Sequence, residues 1–285
     1  MDQTGADAVR VVPAPSSFVA LGDSFTEGLS DPSTTQSGRF RGWADRVAEE
    51  LAAGNPAFQY ANLAVRGRKL AAIIAEQVPT ALELAPELVS LAGGTNDVLR
   101  PTVDLDALSR ILDDAVRRLR ENGSQVLLFQ SIDPTPRSRL IGRTLPRIKA
   151  LTTLVEEVAE TYECVLVPLW GERVFGHPAA WSEDRLHLSA EGHARVAGAV
   201  LESLGLGDHQ WAEDLGRYEA GTRRERLSAD ARWARQHLAP WVVRRLRRTS
   251  SGDGLPPKLP HLASVEMRRE ADALAATVEG ARPQA

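Results

Sequence analysis

Five short apolar runs recur along the chain: Phe18–Leu21, Phe58–Leu63, Leu88–Ala92, Val126–Phe129 and Val165–Leu169. They are rich in Val, Leu and Phe, and most lack a strict polar alternation. That is the pattern of strands covered on both faces. The stretches between them repeat apolar residues every three or four positions, the spacing that lines one face of a helix. Val47 and Leu51 do so within Trp43–Leu51, and Leu70–Leu84 continues in the same way. Leu105, Leu108, Leu112, Val116 and Leu119 mark a helix over Asp104–Glu121. Ile148, Leu151, Leu154, Val155 and Val158 mark another over Arg147–Tyr162. Ser189 is a suitable N-cap for a helix over Ala190–Leu204. Strand and helix alternating five times predict an α/β fold: a central five-stranded parallel sheet with helices on both faces.

In such sheets, ligand sites form beyond the carboxyl ends of the strands. The polar residues there are therefore the candidates for chemistry. Gly22-Asp23-Ser24-Phe25 follows the first strand, and Ala64-Val65-Arg66-Gly67 the second. Gly93-Gly94-Thr95-Asn96-Asp97 follows the third, and Asp184-Arg185-Leu186-His187 precedes the last capped helix. Each piece alone has an ordinary alternative: Ser and Asp cap helices, Gly and Asn form turns, and a loop histidine is commonplace. Together they supply the parts of acyl transfer. A serine hydroxyl needs a base to become a nucleophile. Histidine suits that role near neutral pH. A carboxylate orients the imidazole and stabilises its charged form. Preorganised donors then hold the tetrahedral oxyanion. Ser24 is then the expected nucleophile, His187 the base and Asp184 the orienting acid. The backbone N–H groups of Ser24 and Gly67 and the side-chain amide of Asn96 are the oxyanion donors.

Composition narrows the setting. The 285 residues suffice for one large domain or a domain with an appendage, and the formal net charge of −4 gives no reason to expect a nucleic-acid partner. Residues Met1–Pro15 carry acids and no long apolar run, which is unlike a secretory signal. No window approaches the roughly 18 apolar residues of a bilayer span. The expected location is the cytoplasm. The one cysteine, Cys164, sits in an apolar run and reads as a small core residue.

The four motifs, in this order, resemble those of the SGNH hydrolases, also called GDSL esterases and lipases. Gly22-Asp23-Ser24-Phe25 is similar to the first block, with Phe25 in place of leucine. Gly67 matches the second-block glycine, Gly94-Thr95-Asn96-Asp97 the third block, and Asp184-x-x-His187 the fifth. The resemblance covers about residues 16–207. It implies a flavodoxin-like three-layer α/β/α fold, no metal, no organic cofactor and a small-molecule ester as substrate. Carboxylic ester hydrolysis through an acyl-serine, with short acyl groups, is the default activity. O-deacetylation or acyl transfer on a glycoside or natural product is the alternative, and an inactive scaffold acting through C-terminal helices is the competing class. In this family Asp23 and Asp97 look structural.

Expected substrate contacts are Val98, Leu99 and Arg100 after the third strand, Ser131 after the fourth, and Trp170 and Trp181 beyond the fifth. Residues 208–285 form an extension rich in Arg and Trp. Nine arginines lie between Arg223 and Arg248, with Trp233 and Trp241 among them. Peripheral contact with a membrane or partner, or self-association, is one reading; nucleic-acid contact is a second; folding back onto the hydrolase is the third. The run Ser250–Pro257 reads as a linker, and Leu262–Val278 as a last helix ending near Gly280.

Overall fold

Alternation along the first strand decides how the layers assemble. In β1 (Ser17–Gly22), Phe18 and Ala20 enter one core while Val19 and Leu21 enter the other, so both sides of the strand are dry. This is the period of two that a pleated strand imposes. The structure, a computed structural model, describes residues 15–33, 40–100, 102–133, 144–218, 221–240, 243 and 249–265.

After β1 come the single-turn α1 (Ser24–Glu27), α2 (Trp43–Ala53), β2 (Gln59–Asn62), α3 (Leu70–Leu84), β3 (Leu88–Ala92) and the short α4 (Thr95–Val98). Next are α5 (Leu105–Glu121), β4 (Gln125–Phe129), α6 (Leu145–Thr161), β5 (Val165–Val167), α7 (Ala190–Ser203), α8 (Arg223–Trp233) and β6 (Leu259–Ser264). The sheet order is β5-β4-β3-β1-β2-β6. Strands β1 to β5 are mutually parallel.

Helices α2 and α7 cover one face, where Trp43, Val47, Val196 and Val200 meet Phe18. Helices α3, α5 and α6 cover the other, where Ile73, Leu112 and Leu151 meet Val19 and Leu21. Each such buried side chain contributes about 1.5–3 kcal/mol relative to exposure. Capping follows the sequence signals. Asp104 accepts from the Ala107 N–H at the start of α5, and Ser189 accepts from the Gly192 N–H at the start of α7. With helices on both faces of the sheet, the molecule has the expected three-layer α/β/α arrangement.

The far C-terminus differs from expectation. Residues Leu259–Ser264 are not helical; they form β6, a sixth strand antiparallel to β2. The expected helix from Leu262 is therefore replaced over Leu262–Ser264, and residues 266–278 lie outside the described residues. The physical reason is edge pairing. A sheet ending at β2 would expose a row of unpaired backbone groups, and β6 covers it. The local sequence that suggested a helix does not register that demand. Lys258, just before β6, is fixed in place: its ammonium donates to the backbone carbonyls of Glu27 and Phe40 and to the Asp45 carboxylate. Trp211 is also buried, in the core beneath α7. Trp241 lies outside the described residues. Among the described residues no helix is long and apolar enough to cross a membrane.

Candidate active site

Four turns at the carboxyl ends of the strands converge on one cavity of about 320 Å³. The first is the exit from β1. Gly22 occupies a backbone where a β-carbon would sit 2.5 Å from the Thr26 hydroxyl and 2.7 Å from the Ala92 carbonyl, so only glycine fits. The buried Gln77 side chain then fixes this residue from both sides. It accepts the Gly22 N–H at 2.8 Å and donates to the Gly22 carbonyl at 2.9 Å. Ser24 follows as the first residue of α1, half-buried at the cavity wall.

The Ser24 hydroxyl lies 3.1 Å from His187 Nε2, and His187 Nδ1 lies 2.6 Å from Asp184 Oδ2. The loop that delivers acid and base together is tied tightly. Trp181 and Leu188 form an antiparallel bridge, the Ser182 N–H donates to the His187 carbonyl, and Arg185 turns through a left-handed φ of 59°. The second oxygen of Asp184 accepts from the Ser182 hydroxyl and from the backbone N–H groups of Leu186 and His187. Burial alone would raise this carboxyl. The hydrogen bonds and the adjacent His187 outweigh it and hold Asp184 well below the usual carboxylate range.

Gly67 sits at the cavity with φ +75°, a conformation that favours glycine. Its turn is anchored through Arg66, whose N–H and guanidinium both bond Glu27. Among the described residues, no acceptor is paired with the backbone N–H of Ser24 or of Gly67. Asn96 also lines the cavity, but its Nδ2 donates to Asp23 Oδ2 at 2.8 Å and to the Arg68 carbonyl at 3.0 Å. Both N–H bonds of that amide therefore have protein acceptors in this structure.

Asp23 is fully buried. It caps α1 by accepting the Phe25 N–H, and burial pushes its carboxyl up to about 6 despite that bond. Asp97 accepts the Leu70 N–H and starts α3. His193 is buried against α2, where Nδ1 accepts the Trp43 backbone N–H; burial lowers it to about 3, so it stays neutral. Burial likewise pushes the Cys164 thiol up to about 11.

Of the expected substrate contacts, Leu99, Arg100, Ser131 and Trp181 line the cavity. Val98 and Trp170 do not. Val98 is fully buried in the core beneath α3, α5 and α6, while Trp170 packs against that same core and donates its backbone N–H to the Gln130 side-chain oxygen. Both follow a strand closely enough to suggest the cleft, but one turn of helix or loop rotated them inward. Cavity residues outside that set include Phe25, Leu29, Leu112, Ile148, Leu151, Val155, Leu186 and the segment Thr249–Ser251. Leu186, between acid and base, was readable from its position; Thr249–Ser251 carried a linker composition and no chemical signal.

Known structures share this fold. The fold is shared with an α/β hydrolase enzyme, LAE5, from the metagenome of Lake Arreo, Spain, at 24% identity and a TM-score of 0.56, covering 68% of this chain and 96% of that one. TesA gives 24% identity and a TM-score of 0.56 over 66% of this chain and 97% of its own. The acetylxylan esterase Axe2 from Geobacillus stearothermophilus gives 20% identity and a TM-score of 0.56 over 70% and 96%. A search of curated protein sequences finds no match. Residues 20–195 match the GDSL-like lipase/acylhydrolase family, and the chain therefore belongs to that family, as a serine hydrolase that cleaves ester bonds.

Proposed function

We propose that the chain hydrolyses carboxylic esters of short acyl groups through an acyl-serine intermediate on Ser24. The observation that carries this reading is the continuous row from the Ser24 hydroxyl through His187 to Asp184, at 3.1 and 2.6 Å. His187 Nε2 takes the hydroxyl proton as Ser24 Oγ attacks the ester carbonyl carbon. Asp184 fixes Nδ1 as the protonated nitrogen and stabilises the imidazolium. The carbonyl oxygen, now an oxyanion, receives the N–H groups of Ser24 and Gly67. In the best-studied case one such donor is worth about 3–4 kcal/mol. Asn96 joins them by swinging one N–H from Asp23 to the oxyanion. Collapse of the intermediate breaks the ester C–O bond, and the proton on His187 goes to the leaving alcoholate. Water then enters, gives its proton to His187 and attacks the acyl-serine, releasing the acid and restoring the hydroxyl of Ser24.

Turnover of p-nitrophenyl acetate and butyrate, with fluorophosphonate labelling, tests the assignment. Ser24→Ala is expected to abolish labelling and lower kcat about 10⁴-fold. Equal labelling of wild type and Ser24→Ala would remove Ser24 from the nucleophile role.

A further inference from the structure

The cavity has a wall that does not come from the α/β layers. Thr249, Ser250 and Ser251 stand on its rim, more than fifty residues beyond the end of the family match. This segment is seated on the glycine turn. A β-carbon placed on Gly67 would fall 2.0 Å from the Ser250 hydroxyl, and one placed on Gly252 would fall 2.0 Å from the Arg66 carbonyl. The 250–253 turn closes on itself, with the Ser250 N–H donating to Asp253 and the Gly252 N–H donating to the Ser250 hydroxyl. Asp253 reaches Arg68 at 3.5 Å. Downstream, Lys258 and β6 pin it to the sheet edge. Upstream, Trp233 donates its indole N–H to the Asp184 carbonyl at 2.8 Å, and Arg185 pairs with Asp230 at 2.6 Å. The chain after residue 222 thus touches both halves of the site.

The chemistry of the cavity is divided. Leu112, Ile148, Leu151 and Val155 form an apolar inner end between the sheet and α5 and α6. The exposed rim carries three consecutive hydroxyl side chains, among which Ser250 accepts the Gly252 N–H and donates to the Arg66 carbonyl at 3.5 Å. An alkyl acyl group gains by entering the first, and a hydroxylated alcohol finds partners at the second.

We infer that Thr249–Ser251 is the wall for the alcohol part of the ester, that Ser250 is its specificity-determining residue, and that the preferred leaving group is polyhydroxylated. The inference rests on the proposed role of Ser24. It is tested on the full chain with two esters of one acid, glycerol monobutyrate and methyl butyrate, and separately with p-nitrophenyl esters of increasing acyl length. Wild type favours the glycerol ester. Ser250→Ala lowers the ratio of kcat/KM, glycerol to methyl ester, about five-fold, and Ser250→Phe at least about ten-fold, chiefly through KM. Fluorophosphonate titration counts folded, competent sites in each variant, so loss of fold is not mistaken for loss of preference. A ratio unmoved by either substitution, or a shift in acyl-length preference instead, overturns the inference while leaving Ser24 in place. A wild-type chain that neither reacts with fluorophosphonate nor turns over any ester overturns the Ser24 reading first, and this inference with it.

Discussion

Two carboxylates flank the candidate nucleophile, and their surroundings drive them in opposite directions. Asp184 is half-buried and gathers four donors: the Ser182 hydroxyl, two backbone N–H groups and the His187 ring. It is held below the usual range. Asp23 is fully buried with the Phe25 N–H and the Asn96 amide as its hydrogen-bond donors, and it rises to about 6. Burial penalises the charged form in both. What separates them is how many donors, and how much nearby positive charge, answer that penalty. One carboxylate is therefore built to remain an anion under the histidine, and the other to hold a turn together.

The largest test of that distinction is Asp184→Asn. The side chain keeps its size, but the amide presents the wrong partner to His187 Nδ1 and favours the tautomer that cannot accept the serine proton. On the proposed mechanism kcat falls about 10³–10⁴-fold. A loss under ten-fold in the ester assay would mean that the acid does not act through His187.

Asp23→Asn should be milder and should show its effect in stability as well. The amide oxygen still accepts the Phe25 N–H, but the charge that attracts Asn96 is gone. A kcat loss of about ten-fold is expected, from one charge-assisted hydrogen bond in the turn. The pH dependence has a definite sign. The folded Asp23 carboxyl at about 6 binds its proton more tightly than the unfolded one near 3.8. Between about pH 4 and 6 the folded state carries the extra proton, so stability attributable to Asp23 declines as pH rises and is flat above. Asp184 behaves oppositely: its contribution is complete above the unfolded value of 3.8 and is lost as pH falls below it. Denaturant unfolding of wild type and Asp23→Asn across pH 4–7 should show the difference between them changing in the direction given. Parallel curves would mean that Asp23 is not perturbed.

The same comparison shows how far sequence carries. The layers were legible because both faces of each parallel strand are dry, which leaves uninterrupted apolar runs, and because Asp104 and Ser189 announce their helices. Ser24, Gly67, Asn96, Asp184 and His187 were legible because strand ends are where a sheet of this kind gathers polar groups. Gln77 was not legible: it lies inside an amphipathic helix, and its role depends on which residue of β1 the helix crosses. The commitment of Asn96 to Asp23 was equally hidden, since motif spacing says nothing about where an amide points. The strand Leu259–Ser264 and the wall at Ser250 depend on long-range pairing with an open edge, to which local periodicity is blind.

The smallest expected effect comes from outside the four turns. Trp233 hydrogen-bonds the acid at the Asp184 backbone carbonyl, at 2.8 Å, and its ring also lies beneath the Arg185 guanidinium, 5.2 Å from the ring centroid. Trp233→Phe keeps an aromatic surface for Arg185 and removes the indole N–H. A neutral hydrogen bond of this kind contributes about 1 kcal/mol net. If the bond orients the loop and does not merely hold the extension, the loss appears in kcat, two- to five-fold by that magnitude. KM for p-nitrophenyl butyrate then stays near the wild-type value, because Trp233 does not face the cavity. A stability loss with unchanged kcat would assign Trp233 to fastening the extension alone. The strong carboxylate at 184 would then owe its position wholly to the donors within its own loop.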